Sequence, residues 1–323
     1  MKFFSDKEIE AQYSMKEAIE AQYSMKEAIE DVRSNLSDLK LGKVINKERT
    51  VIELPGTKDS MLYIPCVNTH NHFSILKTIS IFPNNTDKPV SQGTTLLSEL
   101  KTGQHIAMLE SSYLTRLRTG AMSGIATDHL APKDASVLAV IGTGGMAFEQ
   151  VLGVLEVREI KKINLYNRTK NKAIDFKEKL ENKEVKCDII IADNIEIAVK
   201  DADIINCATR SETAVFNYQD IQSNVHINGV GSYLPEMREI DIQAIENAKV
   251  IVIDDFEGAQ HEAGEFIQAA KENKFSFNQA YALKDIDEIT DTNGLTIFKS
   301  VGAAYYDLAV TVGAYQKLIE LKK

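Results

Sequence analysis

A glycine-rich hexapeptide directly after a short apolar run is the feature that most constrains the fold. Val137–Ile141 has the composition of a buried strand, and Gly142–Ala147 (GTGGMA) follows it immediately. Met146–Glu156 is then spaced as a helix, whose N-terminus would face negative phosphates. A structural turn in an unrelated α/β fold is the alternative. We predict a pyrophosphate-binding loop made of Gly142, Thr143, Gly144, Gly145 and Met146.

Short apolar runs and helical stretches alternate through the second half of the chain. Met146–Arg158 and Lys170–Glu181 have helical spacing. This alternation predicts a parallel sheet covered on both faces, in a Rossmann-type doubly wound α/β domain. The six predicted strands are Ser136–Ile141, Lys162–Asn167, Lys186–Ala192, Asp203–Ala208, Val225–Val230 and Lys249–Asp254.

The first part of the chain has a different pattern. Four β-rich runs separated by turn residues predict a small sheet, and Ser111–Leu130 and Ala303–Leu321 are helical. We therefore expect a smaller α+β substrate-binding and dimerisation domain at 1–125 and 300–323, with the dinucleotide-binding domain at 126–299. The four β-rich runs are Thr50–Leu54, Met61–Pro65, Ile75–Phe82 and Gly93–Glu99.

The end of the second Rossmann strand bears on the choice of cofactor. An NAD-selective site normally has Asp or Glu there to bind the ribose 2′-hydroxyl, whereas this chain has Asn167, Arg168 and Thr169. Arg168 can pair with a 2′-phosphate, although a solvated basic turn is the alternative. We expect NADP(H) to be preferred and NAD(H) to be possible. Further cofactor contacts are expected at the carboxyl ends of later strands, from Ala208, Thr209, Val230 and Gly231.

Composition excludes several classes of partner. The 323 residues carry a formal net charge of -10, which disfavours nucleic acid and anionic membranes. No stretch reaches the ~18 apolar residues of a membrane span. No CxxC pair and no metal-ligand spacing is present, and the N-terminus lacks an apolar signal region, so we expect a cytoplasmic protein with no metal.

A perfect tandem duplication lies near the N-terminus. Ile9–Ala18 and Ile19–Ala28 have the same sequence, IEAQYSMKEA. Ser14 and Ser24 each precede a glutamate by three residues, so they are alternative N-caps for one helix. The extra copy is expected to lengthen this surface helix or to loop out of it.

Five segments occur in a specific order along the chain: Leu114–Ala121, Ile141–Ala147, His226–Gly231, Lys299–Gly302 and Asp307–Ala309. Together they resemble the ornithine cyclodeaminase/mu-crystallin family, and the resemblance covers nearly the whole chain. It implies a Rossmann domain that carries the cofactor and an N-terminal sheet domain that forms a homodimer interface. The family includes ornithine and lysine cyclodeaminases, alanine dehydrogenases, ketimine reductases and opine-type synthases.

The resemblance also implies site residues. Arg49 and Arg118 match arginines that grip the substrate carboxylate, and Lys77 matches a lysine near the reacting carbon. Thr94 adds a hydroxyl contact, and Thr119 a cofactor contact. A guanidinium fork suits a carboxylate, and a lysine within an apolar strand can donate a proton. The alternatives are surface ion pairs for the arginines and protection of an edge strand for Lys77.

One position separates the reactions found in the family. Tyr233 stands where the cyclodeaminases have an aspartate, and a tyrosine hydroxyl is a poor general base near neutral pH. We therefore expect an NAD(P)H-dependent reductase of a 2-imino or 2-keto carboxylate, such as a pyrroline-2-carboxylate reductase or an alanine dehydrogenase. Ornithine cyclodeaminase with bound NAD is the alternative, and a non-catalytic crystallin-like protein is the second. The expected partners are a small amino, imino or keto acid and a second copy of the chain.

Overall fold

The computed structural model of the protein describes residues 2–4 and 23–320. The backbone divides into two compact units, Met1–Arg118 with Ala303–Lys323, and Thr119–Gly302. The strands are β1 (Lys2–Phe4), β2 (Val44–Asn46), β3 (Thr50–Glu53), β4 (Ser60–Asn68), β5 (Phe73–Ile81), β6 (Ser91–Glu99), β7 (His105–Glu110), β8 (Val137–Ile141), β9 (Lys162–Tyr166), β10 (Asp188–Ile191), β11 (Ile204–Cys207), β12 (His226–Gly229), β13 (Val250–Ile253), β14 (Tyr281–Ala282) and β15 (Thr296–Lys299).

Helices flank the strands in both units. The α-helices are α1 (Met25–Lys40), α2 (Ser112–Leu130), α3 (Ala147–Leu155), α4 (Lys170–Asn182), α5 (Ile195–Val199), α6 (Ile242–Asn247), α7 (Phe256–Glu262), α8 (Gly264–Lys271) and α9 (Ala304–Glu320). Short 3-10 segments are found at Tyr218–Asp220, Phe277–Gln279 and Leu283–Glu288. No helix within the described part of the chain is both long and apolar enough to cross a membrane.

The first unit contains one sheet, in the order β1-β7-β6-β5-β4-β2, with β3 also paired to β4. β1 runs parallel to β7, and the other pairs are antiparallel. The four predicted β-rich runs are confirmed as β3, β4, β5 and β6. The sequence did not predict β1 and β2, which have only three residues each, or β7, whose sequence HIAMLE has no β-branched run.

Two long helices complete the first unit. Ser24 is confirmed as the N-cap of α1, because its hydroxyl accepts from the Glu27 amide while the Glu27 carboxylate accepts from the Ser24 amide. Ser14 and the rest of the first repeat copy lie outside the described residues. The C-terminal helix α9 packs on α1 and β4.

The second unit is a parallel sheet in the order β10-β9-β8-β11-β12-β15-β13-β14. The six predicted strands are confirmed as β8 to β13, and with them the doubly wound α/β fold. The strand order reverses at β8, which lies between β9 and β11, so the glycine loop leaves the sheet at the switch point. The sequence did not predict β15 or the very short β14. β15 is a fully buried run of four residues that pairs with strands distant in sequence.

Both faces of this parallel sheet are covered. Leu138 and Val140 pack into one apolar cluster, which includes residues of α3 and α4. Ala139 and Ile141 point to the opposite cluster, which includes residues of α5, α6 and α8. A strand buried on both faces has no polar alternation. This explains why the sequence pattern here is a continuous apolar run.

Candidate functional site

The glycine loop begins with a backbone conformation that suits glycine. Gly142 has a φ of 88°, and a Cβ atom there would lie 2.8 Å from the Ala208 carbonyl oxygen. Its amide donates to the Tyr166 carbonyl at 2.9 Å, which ties the loop to the end of β9. α3 then starts at Ala147, and no side chain caps its N-terminus. The Ala147 amide donates to the Gly144 carbonyl at 3.1 Å, and the next amides of the first turn are available to an anion.

The loop has space and a free hydroxyl for a dinucleotide. Cβ atoms built on Gly144 and Gly145 would meet no other atom within 4 Å. Thr143 is buried, and its hydroxyl has no hydrogen-bond partner within the described part of the chain. Buried hydroxyls normally have a partner. The open space at the two glycines and the unpartnered Thr143 hydroxyl fit a bound pyrophosphate.

The end of β9 is arranged around Asn167. Its Oδ1 accepts from the Thr143 amide at 3.1 Å, and its Nδ2 donates to the Thr169 carbonyl at 3.0 Å. Arg168 is exposed and forms no ion pair with any described residue, whereas Lys170 pairs with Asp193 at 3.2 Å. Asn167 therefore supports the loop, and Arg168 is the cation left available for a ligand.

The remaining predicted cofactor residues also belong to the second unit. Ala208 and Thr209 follow β11, and Val230 and Gly231 follow β12, so both pairs lie at the carboxyl edge of the sheet. A Cβ atom on Gly231 would collide with the Thr209 backbone, so the two loops are in contact. Thr119 is buried in α2. The carboxyl edges of β8, β9, β11 and β12 thus contribute every predicted cofactor residue except Thr119.

Lys77 occupies the centre of the first unit's sheet. β5 pairs with β4 on one side and β6 on the other, so the interpretation of Lys77 as protection for an edge strand is wrong. The side chain is fully buried, and its Nζ lies 2.8 Å from Asp307 Oδ1 and 2.6 Å from Thr115 Oγ1. An ammonium has three protons, so one remains for a further acceptor.

Arg118 shares the same carboxylate. Its Nε donates to Asp307 Oδ1 at 3.3 Å, and the residue is only 8% exposed, so the surface ion pair proposed as an alternative is wrong. Its terminal nitrogens have no hydrogen-bond partner within residues 23–320. Guanidinium groups bind carboxylates best through these paired donors. The free end of Arg118 is therefore available to an anionic ligand.

The pKa shifts and the net charge of this buried cluster favour the binding of an anion. Burial lowers the pKa of Lys77 below its ordinary value, as do Arg118 and Arg49, while Asp307 acts in the opposite direction. Burial alone would raise the pKa of Asp307, but Lys77 and Arg118 outweigh it and hold this pKa below its usual range. The ionised cluster of Lys77, Arg118 and Asp307 thus has one uncompensated positive charge.

Of the two other predicted substrate residues, Arg49 lies near Lys77 and Thr94 does not. Arg49 is half-buried directly before β3, close enough to lower the pKa of Lys77, and it has other contacts. Thr94 is not brought to Lys77. The cross-strand partner of Lys77 is Thr95, so Thr94 lies on the opposite face of the sheet.

Asp307 and Thr115 were not predicted as site residues. Asp307 is the acidic residue in the first turn of the largely apolar helix α9, which is the signal that could have identified it. Thr115 lies one helical turn before Arg118 in α2. Neither contact has a local pattern, since Asp307 and Lys77 are 230 positions apart.

No group of three or more His, Cys, Asp or Glu side chains within residues 2–4 and 23–320 is arranged to hold a metal ion. His70 pairs with Asp38 at 2.7 Å.

A parallel sheet with a glycine loop at its switch point defines a dinucleotide-binding α/β protein. The chain belongs to the ornithine cyclodeaminase/mu-crystallin family, whose model matches residues 10–322.

Three relatives are informative. The chain is similar to a Delta(1)-pyrroline-2-carboxylate reductase of Bacillus cereus, with 35% identity over 88% of this chain and 90% of that protein. It is similar to the structure of Thermococcus litoralis Delta(1)-pyrroline-2-carboxylate reductase in complex with NADH and L-proline, with 30% identity, a TM-score of 0.90, and coverage of 100% and 98% of the two chains. It is also similar to an archaeal alanine dehydrogenase dimer with bound NAD, with 26% identity, a TM-score of 0.87, and coverage of 100% and 97%.

Proposed function

We propose that this chain is an NAD(P)H-dependent reductase that acts on the C=N bond of a 2-imino carboxylate, with Delta(1)-pyrroline-2-carboxylate as its first candidate substrate. The observation that carries the proposal is the Asp307 carboxylate, whose Oδ1 binds both Lys77 and Arg118. It leaves a proton of Lys77 and the terminal nitrogens of Arg118 for the substrate. Two relatives with this reductase name support the choice of substrate.

Arg118 holds the substrate carboxylate. Its terminal nitrogens form two parallel hydrogen bonds to the two carboxylate oxygens. Arg49 adds a second positive charge near this cluster, because it already acts on Lys77 electrostatically. A carboxylate fixed in this way has a defined orientation, which positions the adjacent imine carbon for reaction.

Lys77 supplies the proton. Reduction of an imine adds a hydride to carbon and a proton to nitrogen, and a bound nicotinamide cofactor supplies the hydride. The Lys77 ammonium, held by Asp307 and Thr115, donates the proton to the imine nitrogen. The opposing effects of burial and Asp307 on its pKa allow this group to lose and regain a proton during turnover.

The cofactor is held by the second unit. The glycine loop with Thr143 binds the pyrophosphate, Asn167 to Thr169 bind the adenosine ribose, and the loops after β11 and β12 bind the nicotinamide side. Arg168 has no acidic residue beside it at the end of β9, which favours the 2′-phosphate of NADP(H). NAD(H) is the second choice, since both structural relatives contain NADH or NAD.

The first unit provides the substrate residues and a dimer surface. On the sheet face opposite Lys77, four apolar side chains form a row across adjacent strands, namely Pro65, Leu76, Leu96 and Met108. Leu76 is 39% exposed. An apolar row of this kind on an open sheet face suits a second copy of the chain, and the archaeal relative is described as a dimer.

The test follows NADPH absorbance with Delta(1)-pyrroline-2-carboxylate, and separately with pyruvate plus ammonia. Oxidation of NADPH supports the proposal. Release of ammonia from ornithine without net change of the cofactor would indicate a cyclodeaminase instead, and NADPH binding without turnover of any substrate would indicate a non-catalytic protein.

The variant Lys77→Met tests whether the lysine takes part in the chemical step. We expect kcat to fall by about 10²-fold or more, while the Kd for NADPH stays unchanged because the cofactor residues lie in the other unit. Lys317→Met is the matched control, since Lys317 forms an ion pair with Glu27 in the same unit. An unchanged kcat in Lys77→Met would exclude this lysine as the proton donor.

A further inference from the structure

A second buried carboxylate, Glu239, lies in the loop between β12 and α6 and is fully buried. Its Oε1 accepts from the Thr209 amide at 2.5 Å. Its Oε2 accepts from the amides of Gly231 at 2.6 Å and Ser232 at 3.0 Å. One carboxylate thus binds backbone amides of two loops. These loops follow the neighbouring strands β11 and β12 at the same edge of the sheet.

A network of buried groups supports this arrangement. Lys299, the last residue of β15, lies 3.0 Å from Glu265 and donates to the Ser232 carbonyl at 2.6 Å. The Ser232 hydroxyl donates to Glu265 at 2.8 Å. Burial raises the pKa of Glu239, while Lys299 acts in the opposite direction. Buried charges that are paired in this way are stable only when their hydrogen bonds are made.

The two loops that Glu239 binds are tightly packed against each other. Gly231 has no space for a side chain because a Cβ atom would collide with the Thr209 backbone. β11 and β12 are paired up to Cys207 and Gly229, so the loops start in register. A small displacement of either loop would therefore move the other.

The topology indicates which part of a dinucleotide these loops face. The glycine loop leaves β8 at the switch point, and Arg168 lies on the β9 side of it. A dinucleotide binds across the carboxyl edge with one half on either side of this point. If the adenosine half lies on the β9 side, the nicotinamide half lies on the side of β11 and β12, where Thr209 and Gly231 are found.

We propose that Glu239 is a positioning residue that fixes the loops of Thr209, Gly231 and Ser232 as the platform for the nicotinamide half of the cofactor. The inference rests on the proposed cofactor binding, although it does not depend on the substrate. Glu239 acts through the backbone amides that it binds. It should therefore affect the nicotinamide half and leave the adenosine half unchanged.

The experiment compares two ligands by titration of the purified full-length protein. One ligand is NADPH, and the other is 2′-phospho-ADP-ribose, which lacks the nicotinamide. In Glu239→Gln, one acceptor oxygen becomes an NH₂ group that cannot accept an amide proton. We expect the affinity for NADPH to fall by about tenfold, with the affinity for 2′-phospho-ADP-ribose within about twofold of the wild type.

A matched control is available at the opposite edge of the same sheet. Asp203 accepts from the amides of Ser136 at 2.8 Å and Val137 at 2.9 Å, where β8 begins. Asp203→Asn removes a comparable carboxylate-to-amide contact far from the carboxyl edge, and both ligands should bind it as they bind the wild type.

Equal losses for the two ligands in Glu239→Gln would show a general structural role and overturn the proposal, as would an unchanged affinity for NADPH. If this variant does not fold, Glu239→Asp takes its place, since it keeps the charge but is too short to reach both loops. A wild type that binds neither ligand refutes the preference for NADP(H), and NADH and ADP-ribose then replace the pair. Binding of none of these four ligands contradicts the proposed function itself. That result is visible before any variant is made.

Discussion

The Nζ atom of Lys77 lies 2.8 Å from Oδ1 of Asp307, and the two side chains expose only 2% and 7% of their surface. A buried pair of this kind is held by its geometry, because removal of one partner leaves the other as an uncompensated charge. Arg118 donates to the same oxygen at 3.3 Å. Asp307 therefore orients both cationic groups, and it raises the pKa of Lys77 against the effect of burial.

The first prediction concerns Asp307→Asn. Asp307 raises the pKa of Lys77 against the effect of burial, so its neutralisation lowers that pKa further. Proton donation needs the ammonium form, and the rate is lost as the pH rises through the pKa. We expect the alkaline limb of the kcat profile to move to lower pH, measured as NADPH oxidation from neutral to alkaline pH.

The control for this profile is Glu27→Gln. Glu27 also pairs with a lysine of the first unit, Lys317, at 2.8 Å, but it lies on α1 and makes no contact with Lys77. Its profile should overlay that of the wild type. An alkaline limb that stays in place in Asp307→Asn, with only a lower plateau, would mean that Lys77 is not the group titrating.

The second prediction concerns cofactor choice at Arg168. This exposed guanidinium forms no ion pair with a described residue, so it can bind a 2′-phosphate through charge-assisted hydrogen bonds. We expect Arg168→Ala to weaken NADPH binding by about tenfold or more, and to change NADH binding by about threefold at most. Lys170→Ala is the control, because Lys170 pairs with Asp193. Tighter binding of NADH than NADPH by the wild type would refute the preference.

Local patterns were enough to predict the glycine loop and most strands of the second unit. The glycine loop and the six strands β8 to β13 are each specified by a few consecutive residues, whose apolar runs and turns are visible without the partner strands. The N-cap at Ser24 is equally local, since its capping box involves only Glu27. These features were predictable because residues near in sequence make them.

Long-range contacts were not predictable in this way. The insertion of β15 between β12 and β13 depends on pairing partners far along the chain. The same holds for Asp307 beside Lys77 and for Glu239 beneath two loops. Thr94 shows a subtler limit, because a strand's composition does not fix which of two neighbouring threonines shares a face with Lys77.

The third prediction concerns the apolar row on the first unit's sheet. Leu76 lies in this row, between Pro65 and Leu96. A carboxylate buried without a partner in a dimer interface is costly, so Leu76→Asp should give monomers where the wild type gives dimers, as measured by light scattering. Ile197→Asp is the control, because Ile197 is an exposed apolar residue of the other unit, 56% exposed. A wild type that is monomeric would rule out the proposed dimer.

The fourth prediction concerns pH and stability through Asp31. This half-buried carboxylate accepts from the Tyr23 hydroxyl at 2.9 Å. Burial raises its pKa to about 6, although the Tyr23 hydrogen bond acts against the rise, and Glu27 and Glu30 raise it further. In the unfolded chain the same group titrates near 3.8. The folded protein therefore holds this proton more tightly than the unfolded chain does.

The sign of the effect follows from these two values. Below the pKa of the unfolded chain the carboxyl is neutral in both states, and its contribution to the free energy of unfolding is the most favourable. As the pH rises through the folded pKa of about 6, that contribution is lost, because the folded state must now hold a partly buried anion. Asp31→Asn removes this dependence and keeps an oxygen that can accept from Tyr23.

We expect Asp31→Asn to raise the free energy of unfolding at mildly alkaline pH by about 1–2 kcal/mol, after allowance for the solvent that still reaches the group. The gain should shrink to nearly zero in acidic buffer near the unfolded pKa. Urea denaturation at the two pH values measures it, and Asp201→Asn, at an exposed position, should change neither value. A gain of equal size at both pH values would show that ionisation of Asp31 is not its cause.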